Sequence, residues 1–108
     1  MGKATAGPLP VRRDPVITAS SAFRLARFTT DVLALHAGAE PRDRSNAVLV
    51  GRVDGAVALV AIDDATASAW EAIAPRPARL SVWIRHTPRV RAALDVFVVY
   101  GVIGWTRA

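Results

Sequence analysis

The 108-residue chain has no cysteine, one lysine, two histidines and one methionine. Without cysteine there is no disulfide, no thiolate zinc site and no cysteine nucleophile. Two histidines alone make a poor transition-metal set. Neither His36 nor His86 sits beside a strained glycine elbow of the G-x-S-x-G kind, so no nucleophilic triad is legible. The phosphate-cradling patterns G-x-x-x-x-G-K-[ST] and G-x-G-x-x-G are missing too, since Gly51 and Gly55 have the wrong spacing and no lysine follows. The longest apolar run, Ala92 to Trp105, is broken by Asp95 and falls short of the ~18–20 residues that span a bilayer. The first fifteen residues carry proline and arginine where a secretory signal needs an apolar segment, so the expected location is cytoplasmic and a membrane is not an expected partner.

Acid is scarce in one place. From Arg76 to Ala108 there are six arginines and a single acid, Asp95, whereas the first 75 residues balance in charge. The whole net charge of +5 therefore resides in the last third. Such a patch suits an acidic partner: nucleic acid, an anionic protein surface, or the acidic part of another copy. With 52% hydrophobic and 21% charged residues the chain is globular rather than disordered, and its length suits one domain.

Residues 1–15 hold Gly2, Gly7, Pro8, Pro10 and Pro15 beside Arg12 and Arg13, which reads as a flexible basic arm preceding a single domain over 16–108. Val16-Ile17 is a short first strand. Ser20 or Ser21 is placed to cap a helix over 22–37, with Leu25, Phe28, Val32, Leu33 and Leu35 on one arc and Gly38 as the stop. On that helix His36 lies in the apolar arc as a partly buried structural histidine, and Phe23 projects to the polar side as a contact residue. Two β-branched runs flank Asp54-Gly55, a dipeptide suited to a type I′ turn, and predict a hairpin of strands at 47–53 and 56–62. Gly51 marks a bulge or a close backbone approach. Asp64 is placed to cap a helix over 65–74, ended by Pro75 and Pro77.

A strand over 78–85 follows, with Leu80, Val82 and Ile84 on one face and Arg79, Ser81, Trp83 and Arg85 on the other. Thr87-Pro88 starts a short helix on which Arg91 and Asp95 would pair. The β-prone run V-F-V-V-Y-G-V-I-G-W predicts a strand over 96–103, and a helix running to Tyr100 and stopped by Gly101 fits the same residues. The expected class is α+β, a small two-layer sandwich of antiparallel sheet with two or three helices. Its element order resembles the β-α-β-β-α-β order of ferredoxin-like folds, a resemblance of order alone that implies no functional residue.

Two surfaces follow as candidates. Arg79, Trp83 and Arg85 on one strand face, extended by Arg89 and Arg91, would offer an aromatic between guanidinium groups to single-stranded nucleic acid or another anionic partner. Phe97, Tyr100 and Trp105, in an apolar tail that a small core would struggle to cover, would form an interface with a second copy or a larger complex. Asp63, Asp64 and Glu71 are read as capping and helix-dipole charges rather than a cation site. The expected function is a non-enzymatic assembly subunit with no cofactor, catalytic residue or metal. A nucleic-acid-binding module and a small-ligand sensor domain are the alternatives.

Overall fold

The computed structural model describes residues 9–107. Most of the expected basic arm, residues 1–8, lies outside them. The described remainder packs: Leu9 and Pro15 are buried, with a 310 turn at Val11–Arg13 between them. The strands are β1 (Val16–Ala19), β2 (Phe23–Thr30), β3 (Asp43–Val53), β4 (Ala56–Ile62), β5 (Ala78–Arg79) and β6 (Ile103–Thr106). The helices are α1 (Val32–His36), α2 (Asp64–Ile73), α3 (Leu80–His86) and α4 (Val90–Val99). They make a small α+β domain with two three-stranded antiparallel sheets, ordered β5-β1-β6 and β2-β3-β4.

The hairpin forms where expected. Asp54 (φ 52°) and Gly55 (φ 81°) both take left-handed conformations, as a type I′ turn requires, and register runs from Val53 opposite Ala56 to Ala47 opposite Ile62. Residues 22–37 depart from expectation. A strand and a five-residue helix replace the long helix, and Ser20 Oγ accepts the Ala22 N–H in a turn instead of capping. Phe23, Leu25, Phe28 and their polar neighbours can be read with period 3.6 or period 2; pairing with β3 decides for period 2. Phe23, Leu25 and Arg27 then share the inner face with Leu49 and Val60. Two consequences overturn expectations: Phe23 is buried in the core, and His36, at the end of α1, is exposed.

Gly51 is the close approach. A Cβ there would lie 2.7 Å from Phe23 Cδ1 and 2.8 Å from the Ala22 carbonyl oxygen, so the cross-strand phenyl ring occupies the space a side chain would need.

α2 is capped by Asp63, not Asp64: its carboxylate accepts the Thr66 N–H at 2.7 Å. The helix lies between the β2-β3-β4 sheet and the α3–α4 pair. Trp70 meets Phe97 edge-on at 5.9 Å and the Trp83 ring at 6.3 Å, which makes three aromatics the centre of the core.

The expected strand over 78–85 shrinks to two residues, and helix α3 takes over at Leu80. Its first turn is satisfied from a distant part of the chain. Asp14 Oδ1 accepts the Ser81 N–H at 2.7 Å, Oδ2 accepts the Ser81 hydroxyl at 2.8 Å, and the Pro15 carbonyl accepts the Leu80 N–H at 2.9 Å. These contacts stabilise otherwise orphaned helix donors. The strand expected over 96–103 is a helix as far as Val99. Gly101 (φ 72°) donates to Val98 and Val102 donates to Phe97, the paired reverse bonds of a left-handed helix stop. Only after that stop does the chain form β6. Among the described residues no helix is long and apolar enough to cross a membrane.

Candidate interaction surface

The basic and apolar residues singled out from the sequence do not converge on one face. On a strand, Arg79, Trp83 and Arg85 would alternate together. Instead Arg79 ends β5 as the residue before helix α3, Arg85 lies on the side of α3 away from Trp83, and Trp83 turns inward to zero exposure. Its indole N–H has no hydrogen-bond partner among the described residues, and its ring packs on Trp70. From this position it cannot stack on a base.

The arginines are largely engaged within the chain. Arg79 Nη1 lies 3.8 Å from Asp14, Arg89 Nη1 lies 3.8 Å from Asp63, and Arg91 Nη1 lies 2.6 Å from Asp95 Oδ1. The last pair is the expected one, four residues apart on α4. Although close, it is an electrostatic contact rather than a well-directed hydrogen bond, because the buried Nη1 makes none among the described residues. Arg85 is exposed at the end of α3. It helps hold the Asp14 carboxyl below the usual range; the Ser81 N–H is the main cause, followed by the Ser81 hydroxyl and Arg79. The Asp63 carboxyl is lowered chiefly by the Thr66 hydroxyl and N–H, with a smaller part from Arg89.

The acids of α2 are held in the same way. Arg27, projecting from β2, contacts both Asp64 and Glu71. Among the described residues no three histidine or acidic side chains cluster as a metal would require. Ser68 Oγ and His86 Nε2 approach to 3.5 Å at the surface, the outer limit of a hydrogen bond. No carboxylate bonds to that imidazole among the described residues to orient it for nucleophilic work.

The three residues expected at an interface separate by depth. Phe97 is 1% exposed and belongs to the core, so the α4 helix houses part of the apolar tail within the fold. Trp105 is half-buried on β6, opposite Ile17 and packed against the core. Tyr100 stays outside at 55% exposure.

It has company that the three-residue set overlooked. In α4, Val90, Leu94, Phe97 and Val98 face inward, at the 4-3-1 spacing of one helical arc. The opposite arc carries Ala92, Val96 and Val99, spaced four and three apart, with Tyr100 beside them. Val96 is 44% exposed and Val99 80%. A helix that is apolar on both arcs exposes the second one if a single core covers only the first. That signal is present in the sequence, but it reads as helix only once α4 is known to reach Val99.

An open cleft of about 460 Å³ lies between the β1–β2 turn, β2 and the end of α2. Phe23, Leu25, Trp70 and Pro75 line it, with Arg24 and Glu71 at its rim. No sequence signal points to it, because one wall is the strand β2, whose residues fit a helical period equally well. Compared with known protein families, curated proteins and solved structures, the chain finds no match.

Proposed function

We propose that this chain is a non-enzymatic assembly subunit that joins a second copy of itself through the outer arc of α4. The observation that carries the reading is the apolar arc of Ala92, Val96 and Val99 with Tyr100, where Val99 is 80% exposed. Completely burying a valine side chain is worth about 1.5–3 kcal/mol, and contiguous exposed apolar groups on a small domain are places where that energy is still to be gained. The charges beside the arc favour a like partner. Arg91 and Asp95 lie one turn apart. An antiparallel copy of α4 therefore brings Asp95 toward Arg91 and Arg91 toward Asp95, the reciprocal pattern of a two-fold interface. Tyr100 adds the amphipathic aromatic that such interfaces favour.

Size-exclusion chromatography with light scattering across a concentration series tests the proposal. Association to a dimer or beyond is expected, and Val99→Asp is expected to weaken the α4 contact at least tenfold while circular dichroism shows the chain still folded. A chain that is monomeric at the highest concentration overturns it.

A further inference from the structure

Sheet edges expose unpaired backbone groups, and proteins ordinarily blunt them with charge, proline, bulges or brevity. Among the described residues the two sheets have four edges, and three of them are blunted. β5 is two residues long and ends in Arg79, and β6 is four residues long. β2 carries Arg24 and Arg27 and has a register shift between Phe28 and Thr30. The fourth edge, β4, has none of these features. It reads A-V-A-L-V-A-I over Ala56–Ile62, seven residues with neither charge nor proline. It pairs with β3 on one side only. Among the described residues no backbone group outside β3 bonds to residues 56–62. Beside this edge Val57 is 47% exposed and Val53 42%.

We infer that the free edge of β4 pairs antiparallel with β4 of a second copy, joining two three-stranded sheets into one of six strands. Antiparallel pairing of a strand with its own copy is self-complementary about a two-fold axis perpendicular to the sheet. Full overlap of residues 56–62 sets the register: Leu59 opposes Leu59 of the second copy, and Val57 opposes Ala61. The pair spans about 24 Å at ~3.4 Å per residue. No charge within the strand opposes another, and the apolar row of Val57, Leu59 and Ala61 continues across the junction. A second copy is favoured over an unrelated strand because it matches this neutral, seven-residue edge in length and side-chain pattern by construction. The inference rests on the self-association reading but uses a surface other than α4, so chains making both contacts assemble beyond a dimer, and loss of either contact leaves the dimer formed by the other.

The absence of cysteine makes the test direct. Opposed residues of an antiparallel pair lie about 4.5–5.5 Å apart at Cα, within the 4.4–6.8 Å range a disulfide spans. Leu59→Cys is expected to form a disulfide-linked dimer under mild oxidation, and Thr18→Cys, on an exposed position of β1, is not. As a second readout, a Val57→Lys/Ala61→Lys variant should lose the edge pairing, as should Val57→Glu/Ala61→Glu; mixing the two should restore it as a heterodimer. Both positions are exposed, so circular dichroism should show native folds. If Leu59→Cys fails to cross-link and the charge variants associate as the parent does, the edge inference is overturned. Should Ala92→Cys, which lies next to the two-fold centre of the Arg91–Asp95 register, cross-link in that case, the α4 reading survives alone; should Leu59→Cys cross-link while Val99→Asp leaves the mass unchanged, the edge stands and the α4 reading falls.

Discussion

Replacing Gly51 with alanine isolates one steric contact in the sheet. The added Cβ would sit 2.7 and 2.8 Å from two Phe23 ring carbons and 2.8 Å from the Ala22 carbonyl oxygen. Ordinary contact begins at 3.4 Å, so the shortfall is at least about 0.6 Å, and one of the three atoms belongs to the backbone. The ring is 6% exposed and wedged in the core, so it has little room to retreat. Overpacking of this kind costs about 1–3 kcal/mol. Alanine's better strand entropy returns about 0.5–1 kcal/mol. Because one of the clashing atoms is a backbone oxygen, the overpacking falls in the upper part of that range, about 2–2.5 kcal/mol, and the expected net loss is about 1–2 kcal/mol. With an unfolding entropy near 2.1 cal/mol/K per residue, that lowers Tm by about 4–9 °C for a chain of this length. Differential scanning calorimetry measures it. Phe23→Leu removes the ring carbons but leaves the Ala22 oxygen, so the double variant should recover only part of the Gly51→Ala loss, with a coupling of at least about 0.5 kcal/mol. A Gly51→Ala protein as stable as the parent, or strictly additive single and double changes, would refute the close-approach reading.

Trp83→Ala should cost about 3–5 kcal/mol, because it empties the centre of the aromatic cluster. Trp83→Phe should cost less, since it also removes an unpartnered buried N–H. Any oligonucleotide affinity measured across a salt series should not change in Trp83→Phe; a marked drop with the fold intact would return Trp83 to the surface. Asp14 and Asp63 have carboxyl pKa values lowered by folding, so the stability they contribute is fully present above the ordinary aspartate range near 4 and disappears as pH falls through their lower folded-state values. Thermal scans should therefore show Tm falling below about pH 4, with a shallower fall in Asp14→Asn and Asp63→Asn. Slopes equal to that of the parent would remove these two caps as the cause.

What local chemistry decides could be read in advance. Asp54-Gly55 can supply two successive left-handed residues, so the hairpin forms wherever its flanks are β-branched. Asp63-Asp64 followed by a short apolar period makes a helix start with an error of one residue in the cap. Arg91 and Asp95 pair because four residues bring side chains to the same helical face.

Tertiary structure decided the rest. Phe23–Thr30 can be a helix face or a strand face with nearly equal apolar gain, and the free edge of β3 settled it. Leu80–His86 alternates like a strand but becomes a helix because Asp14 and Pro15, more than sixty residues away, accept its first donors. That turns Trp83 from a surface candidate into core. Val96–Val99 is β-prone by composition; the inward arc of α4 met Trp70 and its neighbours, and the Gly101 stop then fixed where the strand could begin. Residue order alone determines which conformations a segment can adopt. Which one it takes, and so which side chains remain outside, depends on partners distant in sequence that supply or withhold burial and hydrogen bonds.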